Sequence, residues 1–123
     1  MLDTLVAGAA ADAAAREARV PLDERIAQAE AARPVSEHTL RPQLDTVGVI
    51  AEIKRASPSK GPLSDIPDPV WLAGQYEAGG ASAISVLTES RQFLGSLGDL
   101  VSVAGAVDIP VLRKDFLTTS YQV

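Results

Sequence analysis

Apolar residues recur at two different spacings along the 123-residue chain. The first part shows helical spacing, with apolar side chains at Leu2, Leu5, Val6, Ala9 and Ala13. A second helix is predicted from Pro21, because proline suits a first helical position and Asp23 and Glu24 oppose the positive end of the helix dipole. Residues 1–46 are therefore predicted to form a helical N-terminal extension.

From Val47 onward, short apolar runs alternate with amphipathic stretches. The run that begins at Val47 predicts a strand inside a sheet over about residues 47–55, and further strands are predicted over about 81–88 and 110–116. Prolines cluster between residues 57 and 69. This segment is predicted to be a loop, because proline fixes its own φ and lacks an N–H donor.

Two helices are predicted between these strands. Asp68-Pro69 supplies a cap and a first helical residue, and the apolar face of this helix is predicted at Leu72, Ala73 and Tyr76. Ser96 and Asp99 resemble a capping box, and the apolar stripe of the second helix is predicted at Leu97, Leu100, Val101 and Ala104. Alternating strands and helices predict an α/β fold of parallel βαβ units, with three strands over residues 47–123.

Composition narrows the class of partner. The chain has 16 acidic and 11 basic side chains, and this net charge of −5 argues against binding to nucleic acid or to anionic membranes. It contains no cysteine, and the single histidine, His38, cannot form a zinc site alone. The sequence shows neither a signal peptide nor a membrane-spanning run, so we expect a cytoplasmic protein.

Charged side chains lie at the ends of two predicted strands. Because strand residues two apart share a face, Glu52 lies beside Lys54, and Lys114 comes at the corresponding place on the third strand. Ligands of parallel α/β folds collect at the carboxyl ends of strands, which predicts a polar site for an anionic small molecule. The pattern leaves open the alternative that Glu52 and Lys54 form an ordinary ion pair and that Lys114 pairs with Asp115.

Four further residues near these strand ends have two interpretations. Ser57 and Ser59 flank a proline and are common turn residues, but their place directly after a charged strand end also suits hydrogen bonding to a ligand. Leu87 and Phe93 are interpreted as apolar packing, either in a ligand pocket or in the core.

Three stretches of the chain resemble the indole-3-glycerol phosphate synthase family: Ile-Ala-Glu-Ile-Lys-Arg-Ala-Ser-Pro-Ser at 50–59, Ser-Val-Leu-Thr-Glu at 85–89 and Pro-Val-Leu-Arg-Lys-Asp-Phe at 110–116. The resemblance covers residues 47–123 closely and extends to the two helices in front. It implies that the chain is the N-terminal part of a (β/α)8 TIM barrel preceded by a two-helix extension.

The resemblance also implies an activity. Members of this family convert 1-(2-carboxyphenylamino)-1-deoxyribulose 5-phosphate to indole-3-glycerol phosphate, with loss of carbon dioxide and water and with neither metal nor cofactor. It implies that Lys114 is the general acid, that Lys54 holds anionic groups and assists proton transfer, and that Glu52 orients Lys54. The substrate-binding residues that it implies are Ser57, Ser59, Leu87, Phe93 and Phe116.

The pattern predicts three strands, whereas a barrel of this type needs about eight strands and ~250 residues. The family's general base and phosphate-binding residues belong to later strands, so we expect the 123 residues to be inactive alone. Open sheet edges, and an uncovered face at Ile50, Leu87 and Leu112, predict a homo-oligomer. Phosphoribosylanthranilate isomerase and a free-standing half-barrel that serves as a binding or assembly module are the alternative functions.

Overall fold

The computed structural model describes residues 1–32 and 47–123. These residues form two compact units, one from 1–32 with 116–123 and the other from 47–115. No helix in these ranges is long and apolar enough to cross a membrane. His38 and the predicted boundary at residue 46 lie outside the described residues.

The first unit contains both helices predicted near the N-terminus. Helix α1 spans Leu2–Glu17 and buries Leu5, Ala9 and Ala13, whereas α2 spans Leu22–Ala31 and begins one residue later than predicted. A 3-10 helix, Ser120–Gln122, belongs to the same unit, and its Tyr121 hydroxyl donates a hydrogen bond of 2.9 Å to the Val20 carbonyl. Both helices that the sequence predicts are thus present in residues 1–32, and their grouping as an N-terminal extension stays a prediction.

The second unit is a parallel α/β structure. In chain order it comprises β1 (Ile50–Ile53), β2 (Ala56–Ser57), β3 (Gly61–Pro62), α3 (Pro69–Ala78), β4 (Ala83–Leu87), α4 (Leu97–Ala104) and β5 (Val111–Lys114). The main sheet has the order β1-β4-β5, and both strand pairs are parallel. The predicted α/β class and its three parallel strands are therefore confirmed. The predicted loop over 57–69 is only partly correct, since β2 and β3 form a short antiparallel hairpin.

One face of the main sheet forms the hydrophobic core with α3 and α4. Ile53, Ile84 and Val86 are buried there, together with Ala73 of α3 and Val103 of α4. The predicted face of α3 is confirmed, because Leu72 and Tyr76 also pack against this core. Asp68 caps α3 by accepting hydrogen bonds from the Val70 and Trp71 amides, at 3.0 and 2.9 Å.

The predicted apolar face of α4 is only partly correct, since Leu100 packs against the core but Val101 does not. Val101, predicted to be inside, is 71% exposed, whereas Val103 is completely buried. The helix has only eight residues and carries apolar side chains around most of its circumference, so its sequence does not single out one stripe. The buried face passes through Leu100 and Val103.

The prediction that β1 begins as a buried strand is also wrong. Val47 lies before β1 and is 93% exposed. Ile50, the first residue of β1, is half exposed, as expected for the uncovered face. Leu112 is similarly exposed on β5, as expected for the uncovered face. Leu87 is buried instead, since it lies on the central strand and the Gly95 backbone packs directly against its carbonyl. The homo-oligomer stays a prediction.

The two valines of α4 provide a matched test of this packing. We expect Val103→Ala to lower the free energy of unfolding by roughly 2 kcal/mol, because it removes buried apolar surface and leaves a cavity. Val101→Ala makes the same chemical change at an exposed position and should alter stability by less than about 0.5 kcal/mol. Urea unfolding followed by circular dichroism measures both, and equal losses would contradict the assigned face.

Candidate active site

The candidate site is centred on the Glu52 carboxylate, which lies between two lysine ammonium groups. Its Oε1 lies 2.5 Å from Lys54 Nζ, and its Oε2 lies 2.5 Å from Lys114 Nζ. Lys54 follows β1 directly and Lys114 ends β5, so the carboxylate joins the two outer strands of the main sheet at their carboxyl ends. The structure thus brings together the three residues that the sequence predicted to be catalytic.

Ser85 of the central strand makes this arrangement possible. The register places Ser85 directly between Glu52 on one side and Leu112 on the other. Its Oγ donates a hydrogen bond of 3.5 Å to Glu52 Oε2. Because the serine side chain is short, Glu52 and Lys114 can meet above it, and Ser85 is buried.

The electrostatics of the site favour an anion. Burial raises the pKa of Glu52, but hydrogen bonds and charge attraction from Lys114 and Lys54 outweigh that effect and lower the pKa below the ordinary value of 4.5. One carboxylate faces two ammonium groups, which leaves an excess of one positive charge. The Lys114 side chain is 53% exposed, so its ammonium can contact both Glu52 and a ligand.

Asp115 belongs to a different network. Its Oδ2 accepts hydrogen bonds from Thr88 Oγ1 at 2.7 Å and from Arg113 Nη2 at 3.2 Å. Lys114 pairs with Glu52 instead. The alternative in which Lys114 pairs with Asp115 is therefore wrong, whereas the ion pair of Glu52 with Lys54 is present.

The structure places the predicted substrate-binding residues in three segments. Ser57 lies half-buried in β2, and Ser59 lies exposed in the turn between β2 and β3. In the described part of the chain, neither serine is hydrogen-bonded to Glu52 or to the two lysines. Leu87 ends β4 on the same face as Ser85, and Phe93 lies half-buried in the loop that follows.

Phe116 belongs to the other compact unit. It is half-buried, and its carbonyl accepts a hydrogen bond of 3.0 Å from Gln122 Nε2. The roles of Phe116 and of the other substrate-binding residues stay predictions. Among residues 1–32 and 47–123, no three histidine or acidic side chains are close enough to hold a metal ion.

Two residues near this site, Ser85 and Glu89, were not predicted from the sequence. Ser85 is the polar residue of the otherwise apolar strand β4, and this break in the pattern could have indicated a role in the site. Glu89 is only 4% exposed and binds backbone amides of its own loop. A single glutamate after a strand does not predict these contacts from the sequence.

Comparison with known proteins gives consistent matches. The sequence model of a family described as indole-3-glycerol phosphate synthase matches residues 2–123. The chain is 57% identical over 122 residues to indole-3-glycerol phosphate synthase 1 of Streptomyces coelicolor, covering 99% of the chain and 45% of that protein. It is also 57% identical over 125 residues to the synthase of Leifsonia xyli, covering 100% of the chain and 48% of that protein. The chain thus spans about half the length of these curated relatives.

The two lysines provide a direct test of the electrostatics. Replacing Lys114 with methionine should raise the pKa of Glu52, because burial continues to oppose the charged carboxylate while one ammonium group is lost. Replacing both Lys54 and Lys114 should raise it further. Carbon-13 NMR titration of the Glu52 carboxyl measures these changes. The control is Lys60→Met, which removes the exposed lysine of the β2–β3 turn.

The same shift has a stability consequence with a definite sign. Since the folded-state pKa of Glu52 lies below that of the unfolded chain, the unfolded chain binds the proton more tightly. The contribution of Glu52 to stability should be complete above the unfolded value of 4.5 and should be lost as the pH falls through the lowered pKa. A Glu52 pKa unmoved by both lysine replacements would contradict the bridged arrangement.

Proposed function

The chain belongs to the indole-3-glycerol phosphate synthase family, and we propose that it supplies the general acid in the active site of a carbon–carbon lyase of tryptophan biosynthesis. The family has the TIM-barrel fold, and the three parallel strands with their helices form part of such a barrel. The family match favours the synthase over phosphoribosylanthranilate isomerase.

The proposed substrate is 1-(2-carboxyphenylamino)-1-deoxyribulose 5-phosphate, a small phosphorylated anion. In the proposed reaction, the aromatic carbon that carries the carboxylate attacks the carbonyl carbon of the sugar-derived chain. The carbonyl oxygen takes a proton and becomes a hydroxyl, and the carboxylate leaves as carbon dioxide while its bonding electrons restore the aromatic ring. A base then removes a proton from the CH2 group next to nitrogen, and the hydroxyl takes a second proton and leaves as water. The product is indole-3-glycerol phosphate. We expect the reaction to take place in the cytoplasm.

The observation that carries this proposal is the Glu52 carboxylate between Lys54 and Lys114. Ring closure needs a proton donor at the carbonyl oxygen, and we assign this role to Lys114, whose exposed ammonium is held at the carboxyl end of β5 by Glu52. A lysine ammonium is a compact positive charge with three N–H donors, which suits this role.

The other residues receive supporting roles. Lys54 attracts the anionic groups of the substrate and assists proton transfer, while Glu52 keeps both ammonium groups in place. Ser57 and Ser59 of the hairpin after β1 donate hydrogen bonds to the substrate. The apolar side chains Leu87, Phe93 and Phe116 bind its aromatic ring. The general base and the phosphate site are assigned to no residue of this chain, so we expect the 123 residues alone to be inactive.

A chimeric enzyme tests the acid role. The chain is joined to the part of the Streptomyces coelicolor relative that it does not cover, and formation of indole-3-glycerol phosphate is followed by its absorbance. In this enzyme we expect Lys114→Met to lower kcat by ~10²–10⁴-fold while KM changes little, since general acid catalysis contributes about that much.

Lys114→Arg is the matched variant, because arginine keeps the positive charge near Glu52 but does not release its proton. If Lys114 acts as the acid, the arginine variant loses activity as the methionine variant does. Activity of the arginine variant within a few-fold of the parent would show that position 114 supplies charge alone, and would refute the acid assignment. A parent chimera that folds but forms no product would refute the proposed function.

A further inference from the structure

The loop between β4 and α4 is organised around the buried side chain of Glu89. Its Oε1 accepts a hydrogen bond of 2.9 Å from the Arg91 amide. Its Oε2 accepts hydrogen bonds from the amides of Gln92 and Phe93, at 2.7 and 3.0 Å. The carboxylate thus accepts hydrogen bonds from three consecutive backbone amides of its own loop.

The ends of this loop are also closely fixed. The Gly95 amide donates a hydrogen bond of 2.9 Å to the Glu89 carbonyl. Leu94 takes a left-handed conformation, with φ of 56°, which is unfavourable for a residue with a Cβ atom. A Cβ atom at Gly95 would lie 2.0 Å from the Leu87 carbonyl oxygen, so only glycine fits there. The loop therefore has a strained backbone that needs compensating interactions.

The fixed loop starts beside the candidate acid. Leu87, the last residue of β4, is the register partner of Lys114, and the Thr88 amide donates a hydrogen bond of 3.0 Å to the Lys114 carbonyl. Phe93 follows five residues later, with its amide bound by Glu89. The Glu89 carboxylate thus determines where the backbone of Phe93 lies relative to the strand end that carries Lys114.

We propose that Glu89 is a positioning residue for substrate binding, which acts by holding Phe93 in place to receive the aromatic ring of the substrate. This inference rests on the proposed function, because it takes Phe93 as part of the aromatic-ring pocket. Glu89 itself takes no part in proton transfer. Its effect is therefore expected on KM and not on kcat.

The chemistry of the loop requires a carboxylate. A glutamine at position 89 has nearly the same shape but only one acceptor oxygen, so its NH2 group would face at least one backbone N–H. The donors opposite that NH2 group would lose their partner, and the strained conformation would lose its compensation. Glu89→Gln is therefore the informative change, and Glu89→Asp, which keeps the charge on a shorter side chain, is the milder one.

Glu77 provides a matched control. It is also a glutamate that accepts backbone hydrogen bonds, from the Asp108 and Ile109 amides at 2.7 and 3.1 Å. These amides precede β5 and so lie at the amino end of the sheet, away from Lys114. Glu77→Gln makes the same chemical change, but both amides bind the single oxygen Oε1, which a glutamine retains, so we expect no change in KM.

The experiment measures kcat and KM of the chimeric synthase at a temperature at which circular dichroism shows every variant folded. We expect Glu89→Gln and Phe93→Ala each to raise KM on the order of 10-fold with kcat within about threefold, as for a lost pocket contact. In the double variant KM should be no higher than in the worse single variant, because both changes remove the same positioned ring. Glu89→Asp should give an intermediate KM, and it replaces Glu89→Gln in the series if the glutamine variant does not fold.

Hydrogen exchange gives a second readout that needs no substrate. The amides of Gln92 and Phe93 should exchange slowly in the parent and faster in the Glu89 variant, while Glu77→Gln should leave them unchanged. If the parent is active but the Glu89 variant has an unchanged KM, the inference is refuted and the proposed function is not. The same holds if the effects of the Glu89 and Phe93 changes on KM multiply in the double variant. A folded parent without synthase turnover would refute the proposed function and this inference with it.

Discussion

The site depends on one electrostatic constraint: a single carboxylate must hold two ammonium groups that come from opposite edges of a three-stranded sheet. Adjacent strands lie about 4.8 Å apart, so the backbones that carry Glu52 and Lys114 are separated by roughly twice that distance. Long side chains can span such a gap only if the residue between them is small. Ser85 on the central strand meets this requirement and adds a hydrogen bond to the same carboxylate.

Residues on the opposite face fix the strand ends from which these charges project. Arg55, directly after Lys54, donates hydrogen bonds to the Ile66 carbonyl at 3.1 and 3.3 Å and pairs with Asp99 in the first turn of α4. Asp115, directly after Lys114, is bound by Thr88 and Arg113. Each lysine is thus followed in the chain by a side chain anchored on the other side of the sheet. This alternation limits the freedom of the backbone next to both lysines, whose ammonium groups contact Glu52.

The sequence predicted the members of the site better than their contacts. Period-two alternation placed Glu52 beside Lys54 and placed Lys114 at a strand end, and both predictions are confirmed. The pairing of Glu52 with Lys114 depends on strand order and register, which local periodicity does not specify. Glu89 could not be assigned for a related reason. Its partners are backbone amides, whose directions are set by loop conformation and are independent of side-chain type.

The same limit explains the errors in the fold. An apolar run such as the one from Val47 predicts a strand, but its burial depends on whether a neighbouring strand or helix covers it. Helix α4 has apolar residues on most sides, so tertiary packing determines that Val103 is buried and Val101 is exposed. Helix α3 was predictable because its cap, its proline and its apolar face all agreed.

The most direct test of the bridged site is nitrogen-15 NMR of the lysine ammonium groups, recorded at low temperature in the parent chain and in Glu52→Gln. If Glu52 holds both lysines, the Lys54 and Lys114 ammonium signals should be protected from solvent exchange in the parent, and both should shift and lose protection in the variant. The signal of Lys60, exposed in the hairpin turn, should be the same in both proteins. A variant in which only one of the two signals changes, or neither, would contradict the account.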